Sequence, residues 1–259
     1  MSAFEMRPRS VTELVDATFE LLRRDYLTLI TISALFQLPL LVIQVALSID
    51  LSTPAKIAAN MSGLGVLWIL GLIVLALSDA AIVCAVSDAY LGRKPSVSGA
   101  IGRALSRFFP VVFVGLLRFI ASYVLLLAIV VPGLYCYSRW ATARVVVVLE
   151  KKDTFESLGR SWNLAQGRVW PSFLTLLLAY VIFIVLWVVF VMILAIIGQT
   201  AALLANPNIS MAIERVPVIF VYPFVSVLTT LIYYDLRVRK EAFDLEMMAN
   251  ELGAAPAPA

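Results

Sequence analysis

The most informative absence in the sequence is histidine, which does not occur among its 259 residues. Histidine is the usual general base, the commonest metal ligand and the side chain that titrates near neutral pH. There are only two cysteines, Cys84 and Cys136, and both lie in apolar runs. A disulfide framework and a paired-cysteine metal site are therefore excluded. We expect no metal site, no cofactor and no enzymatic activity.

Charge is also scarce, since charged residues make up 14% of the chain and hydrophobic residues 62%. A soluble globular domain has roughly 45–50% apolar and about 25% charged residues. The composition therefore predicts an all-α integral membrane protein with several spans. The net charge of +3 follows from where the basic residues lie between spans, and we expect no nucleic-acid partner.

Five apolar runs are long enough to cross a bilayer, whose core of about 30 Å needs roughly 20 residues of helix. They cover residues 26–49, 64–88, 110–131, 172–197 and 216–234. No cleavable signal peptide precedes the first run. Residues 1–246 are predicted to form a single polytopic membrane domain. The tail at 247–259, which ends in GAAPAPA, has a composition typical of disorder.

Three further segments show the periodicity of amphipathic helices, at residues 10–24, 96–108 and 153–167. Ser10 with Glu13, and Asp153 with Glu156, have the spacing of capping boxes. Each segment precedes a long apolar run and carries a basic residue near its end. This pattern favours a threefold repeat of one amphipathic helix followed by two spans.

The repeat requires a sixth span, which can only come from residues 133–150. Hydropathy opposes it, because an arginine near the bilayer centre costs roughly 2.5–3.5 kcal/mol and this run contains Arg139 and Arg144. The distribution of basic residues favours it. With six spans, fifteen lysines and arginines lie on the cytoplasmic side and two outside, as the positive-inside rule demands. We therefore predict six spans with both termini in the cytoplasm.

Ionisable residues inside spans are rare and are candidates for function. Here they form a predicted intramembrane polar cluster of Asp79, Arg118, Arg139 and Arg144. One interpretation is a polar cavity that binds an anionic substrate or head group through arginine. The other is a structural carboxylate–arginine cluster that joins three helices. We favour the structural interpretation because a carboxylate is available to pair, while the excess of arginine keeps the first one open.

The exit of the last span is rich in aromatic and basic side chains. Tyr234 is followed by Arg237, Arg239 and Lys240, which are candidates for contact with anionic lipid head groups at the interface. The alternative, which we favour, is that these residues only anchor the topology.

The run YYDLRVRKE at 233–241 resembles the end of the membrane-domain family of bacterial glycerophosphoryl diester phosphodiesterases. Residues 7–24 and the segment PGLY at 132–135, with Arg139 and Trp140, are similar to the family's opening helix and central motif. In that family the membrane region is fused to a hydrolase that uses histidines and metal-binding carboxylates. The resemblance thus implies a stand-alone membrane domain without hydrolase activity, located in the bacterial cytoplasmic membrane.

Two functions remain open at this point. The first is a scaffold or recruitment protein in phospholipid or envelope metabolism, with a protein partner at the cytoplasmic amphipathic helices. The second is a transporter or lipid-handling protein that uses intramembrane arginines on an anionic substrate. Both imply contact with membrane lipids, including anionic ones. The sequence does not determine the oligomeric state.

Overall fold

A computed structural model describes residues 7–47, 53–197, 207–243 and 245. Every regular element within these ranges is an α-helix, which confirms the all-α prediction. The predicted tail at 247–259 lies outside the described residues. The helices, numbered here in chain order, are α1 (Val11–Ala46), α2 (Pro54–Ala59), α3 (Met61–Tyr90), α4 (Val97–Ser106), α5 (Phe108–Ala128), α6 (Val130–Arg139), α7 (Ala143–Leu149), α8 (Thr154–Leu164), α9 (Val169–Ile197) and α10 (Pro207–Glu241).

Five of these helices are long and apolar enough to cross a membrane, namely α1, α3, α5, α9 and α10. They cover most of each of the five apolar runs predicted from hydropathy, so the chain is a multi-pass membrane protein. Their positions differ. The helices α3 and α10 are mostly buried by protein, whereas α9 exposes most of its apolar side chains. We infer that α9 faces lipid and that α3 and α10 form the centre of the bundle.

The disputed run at 133–150 is two short helices, α6 and α7, separated by a turn at 140–142. Hydroxyl groups bind on both sides of this break. The Ser161 hydroxyl donates to the carbonyl of Arg139 at the end of α6 at 2.8 Å, and the Ser138 hydroxyl of α6 donates to the carbonyl of Val169 at the start of α9 at 2.9 Å. Non-helical backbone at membrane depth is tolerated where protein groups replace the lost helical hydrogen bonds.

The first predicted amphipathic helix and the first span form one helix, α1, bent at Asp25, where the backbone is not helical. The capping box of Ser10 and Glu13 is present in both directions. At the start of α8, Asp153 makes no side-chain capping bond, so the second predicted capping box is wrong. Asp153 is exposed, where water can solvate its carboxylate.

Small residues let the central helices approach closely. The half of α3 that ends at Tyr90 buries a series of alanines: Ala76, Ala80, Ala81, Ala85 and Ala89. Opposite them, a Cβ atom added at Gly115 of α5 would lie 3.4 Å from that of Ala76. Close packing of small residues is the usual means of association between helices in lipid, where apolar burial supplies no driving force.

Side-chain contacts give the direction of each central helix. Along α3 and α10, Asp79 meets Ser226 and Ser87 meets Tyr234, so these two helices run parallel. Helix α9 runs the opposite way, since Phe183 contacts Tyr222 and Phe190, further along α9, contacts Phe220. This arrangement of directions constrains how often the chain between α3 and α10 reverses.

Candidate functional site

The deepest ion pair joins Asp79 of α3 to Arg144 of α7. Asp79 is 4% exposed, and its Oδ2 lies 3.1 Å from Arg144 Nε. The Ser226 hydroxyl of α10 donates to the other carboxylate oxygen. Both terminal nitrogens of Arg144 lie 3.5 Å from the Tyr222 hydroxyl. Three helices therefore meet at one carboxylate.

This pair is enclosed, and its geometry accounts for both charges. A carboxylate removed from water is stable only when it is paired and hydrogen-bonded, and Asp79 has a guanidinium on one oxygen and a hydroxyl on the other. The ion pair joins aspartate and arginine, two residue types that are scarce in the apolar helices. The enclosed geometry agrees better with a structural ion pair than with an open substrate site.

Arg139, at the end of α6, lies in a separate aromatic environment. Its Nε donates to the Tyr135 hydroxyl at 3.0 Å and its Nη1 to the Trp162 carbonyl at 2.7 Å. The guanidinium carbon lies 4.6 Å from the Trp162 ring centroid and 5.0 Å from that of Tyr135. Arg139 thus connects α6 to α8 through cation–π contacts, and the structure does not join it to Asp79.

Arg118, near the middle of α5, differs from the other two arginines. It is 7% exposed, and within the described ranges it makes no ion pair with a carboxylate. Its guanidinium carbon lies 4.7 Å above the ring of Tyr137, and its Nε has no hydrogen-bond partner there. Asp79, which could have paired with Arg118 by depth, pairs with Arg144.

The predicted head-group residues at the end of α10 all contact protein. Tyr234 is buried, shares a 2.7 Å hydrogen bond with Ser87 and stacks on Tyr90. The other three residues bind through nitrogen: Arg237 to Glu241, Arg239 to Asp235, and Lys240 to the carbonyl of Asn163. Lys240 is exposed, so head-group contact stays a prediction chiefly for that side chain.

A network of ion pairs at the helix ends was not predicted from the sequence. Arg160 of α8 donates from Nε to Glu150 at 2.9 Å and from Nη2 to Glu241 at 2.8 Å. Arg103 of α4 forms an ion pair with one carboxylate, that of Asp88 at the end of α3. Hydrogen bonds from these arginines to their carboxylates raise the pKa of Arg103 and of Arg160, so both remain charged at any physiological pH.

One signal for this network was present in the sequence. Arg103 lies seven residues after the helix-capping Ser96, and Arg160 lies seven residues after Asp153. A shared position in two amphipathic segments indicates a shared contact. The carboxylates they bind, Asp88 and Glu150, both come from the end of the helix before.

Comparison with known proteins adds one match. A family model described as the membrane domain of glycerophosphoryl diester phosphodiesterase matches residues 105–251, which is more than half of the chain. The matched segment contains Arg118, Arg139 and Arg144, whereas Asp79 precedes it. No curated protein and no solved structure matches the chain.

Proposed function

The chain belongs to the family of membrane domains of glycerophosphoryl diester phosphodiesterase, and from this premise we propose that it recruits a protein of phospholipid or envelope metabolism to the bacterial cytoplasmic membrane. The family description names a membrane domain rather than a hydrolase, so no catalytic step is assigned. The observation that carries the proposal is the surface of the two amphipathic helices outside the spans.

These helices bury several small residues, together with Leu164 of α8, and each also exposes a large apolar side chain. Helix α4 packs through Ala100 and Ala104, and α8 packs through Ser157 and Ser161. On their outer faces Leu105 is 48% exposed and Phe155 is 78% exposed. Arg103 and Arg160 are held in ion pairs within the chain, so neither arginine is left for a partner. We assign the exposed Leu105 and Phe155 to contact with that partner.

Photo-cross-linking tests this proposal. A photoreactive residue in place of the exposed Glu156 should attach to a protein of phospholipid metabolism, and Phe155→Ser should abolish the attachment while membrane insertion is unchanged. The same probe at Leu127, an exposed position on the span α5, is the control and should attach to lipid only. If the probe at position 156 attached only to lipid, both in the otherwise wild-type protein and in the Phe155→Ser variant, this result would contradict recruitment.

We also propose six crossings, with α6 and α7 together forming the fourth. The parallel course of α3 and α10 supports this, since the chain between them must then cross an odd number of times. Helices α5 and α9 provide two crossings, and the third must come from 133–150. The N-terminal segment and the end of α10 share one side, because the backbone N–H of Arg9 donates to Asp235 at 2.7 Å. The excess of basic residues on that side supports a cytoplasmic location.

The threefold repeat is part of the same proposal. The joint between amphipathic helix and span has nearly the same backbone at Asp25 (φ −118°, ψ 17°) and at Arg107 (φ −114°, ψ 27°). A carboxylate at the end of each second span holds the amphipathic helix that follows. Asp88 binds α4, Glu150 binds α8, and Asp235 accepts from the backbone N–H of Arg9, two residues before α1.

A second candidate function, the handling of an anionic lipid, is favoured by one specific observation. Of the three intramembrane arginines, Arg139 and Arg144 are satisfied by protein, whereas Arg118 has no carboxylate partner among the described residues. An uncompensated charge in a span is costly unless an anion or water reaches it.

A further inference from the structure

A cavity of about 430 Å³ lies between α5, α6 and α9. Its walls are mostly apolar, with Leu134, Phe173 and Leu177 among the lining residues. Four of the lining residues carry hydroxyl groups, namely Ser122, Tyr123, Tyr137 and Tyr180. Because α5 and α9 are candidate spans with exposed apolar faces, the cavity opens toward the lipid. Its size and its few polar groups are typical of a small-molecule site.

Within the described part of the chain, two polar groups without hydrogen-bond partners lie at or near this cavity: Ser122 lines it, and Arg118 lies behind the lining against the ring of Tyr137. Ser122 is 4% exposed and its hydroxyl makes no hydrogen bond among the described residues. Arg118 precedes it by one helical turn on the same face of α5, and its Nε is also unsatisfied. A buried polar group left without a hydrogen bond is costly. Ser122 lines the cavity, and Arg118 contacts the ring of the lining residue Tyr137, so a ligand in the cavity is placed to supply the missing acceptor.

The charge of the site defines that acceptor. Arg118 contributes a full positive charge, and the hydroxyl groups of Tyr137 and Tyr180 bind each other next to it. A guanidinium flanked by hydroxyls suits a phosphate or carboxylate oxygen. The apolar walls suit a hydrocarbon chain. A ligand with both parts is an anionic lipid.

A second cavity, of about 490 Å³ between α1, α9 and α10, provides a contrast. It is lined by phenylalanine, leucine and valine side chains, with Arg23 and Tyr26 at the cytoplasmic end of the span in α1. None of the buried polar atoms that lack a hydrogen bond lines it among the described residues. Its charged lining residue, Arg23, is exposed, so this cavity has no buried charge at its lining.

We propose that the cavity between α5, α6 and α9 binds one anionic phospholipid, with a phosphate oxygen on the Ser122 hydroxyl, the charge of Arg118 within one helical turn, and an acyl chain along Leu134 and Leu177. This proposal rests on the second candidate function, the handling of an anionic lipid. It is independent of recruitment through Phe155.

The test is lipid binding to the purified full chain, measured by native mass spectrometry and by titration in detergent. The probes are phosphatidylglycerol, phosphatidylcholine as the zwitterionic lipid, and glycerol phosphate as the soluble anion. Phosphatidylglycerol should bind at least tenfold more tightly than either of the others. Arg118→Gln should lower its affinity about tenfold, whereas Arg118→Lys should retain most of it.

Two further variants keep the test decisive if Arg118→Gln does not fold. Leu177→Trp fills the cavity from its exposed rim without changing the charge, and Ser122→Ala removes only a hydroxyl. Both should weaken phosphatidylglycerol binding, and Arg93→Gln, at an exposed arginine outside the cavity, should not. Equal affinity for phosphatidylcholine, equal affinity for glycerol phosphate, or indifference to Leu177→Trp would each overturn the proposal.

A vesicle assay separates this inference from the function on which it rests. If phosphatidylglycerol binds as described but the protein does not move labelled lipid between leaflets, the site stands and the handling function fails. If no phosphatidylglycerol binds while the Phe155-dependent cross-link persists, only the lipid site fails.

Discussion

The charge of the buried Asp79 carboxylate is compensated by a single guanidinium, that of Arg144. Arg144→Ala would leave a carboxylate that is 4% exposed without its cation, and breaking a buried pair costs roughly 3–5 kcal/mol. In mixed micelles, we expect Arg144→Ala to unfold at a clearly lower fraction of sodium dodecyl sulfate than the wild-type protein. The double variant Asp79→Leu/Arg144→Met should recover much of this loss, because replacing both partners by apolar groups is often neutral.

A matched control is Arg93→Ala, which removes an exposed arginine and should shift the transition little. If Arg144→Ala were as stable as Arg93→Ala, the pair would not hold α3, α7 and α10 together. Lost lipid movement in a stable Arg144→Ala protein would instead give this pair the functional role that its enclosed geometry disfavours.

The break between α6 and α7 determines how residues 133–150 could cross the membrane. Ten and seven helical residues span roughly 15 and 10 Å at 1.5 Å per residue, so neither helix crosses a bilayer core alone. The Ser161 hydroxyl binds the backbone at the turn between them, and the Ser138 hydroxyl joins the end of α6 to the start of α9. A broken span of this kind is possible only where protein encloses it.

Cysteine accessibility tests the crossing. In a protein with Cys84→Ala and Cys136→Ser, Ala58→Cys should react with a membrane-impermeant maleimide in intact cells. Gln166→Cys should react only after permeabilisation, because six crossings place 151–168 in the cytoplasm. Both native residues are exposed, so burial does not explain a difference. Reaction of Gln166→Cys in intact cells would show that 133–150 does not cross.

Over the whole molecule, ion pairs at the helix ends connect the amphipathic helices to the central bundle. Arg160 links α8 both to the end of α7, through Glu150, and to α10, through Glu241. Arg160→Ala should lower the free energy of unfolding by about 2 kcal/mol, since hydrogen bonds to charged groups contribute roughly 1.5–3 kcal/mol each and this site is partly exposed.

The loss of fluorescence-detected monodisperse protein after heating measures this effect. Arg160→Lys should recover only part of the stability, because an ammonium cannot form the two-sided contact of the guanidinium. The equivalent Arg103→Ala should cost less, since Arg103 binds one carboxylate and is more exposed than Arg160. Equal stability of Arg160→Ala and the wild-type protein would remove the support that these pairs give to the repeat.

The sequence by itself determined that the chain is an all-α membrane protein with five long apolar helices, and it located each of them. Lipid excludes alternatives, since a span of about 20 apolar residues must be helical to satisfy its backbone. It also located the capping box of Ser10 and Glu13, because capping is decided within four residues. These features depend on local composition and spacing.

Tertiary structure decided how the charges were shared. The sequence predicted one cluster of Asp79, Arg118, Arg139 and Arg144, whereas the fold pairs Asp79 with Arg144, surrounds Arg139 with aromatic rings and leaves Arg118 beside a cavity. Depth along a helix can be counted from the sequence, but the direction in which a side chain faces its neighbours cannot. The pairing of these charges depends on how each helix is rotated and on the break between α6 and α7. Both are determined by the packing of the helices.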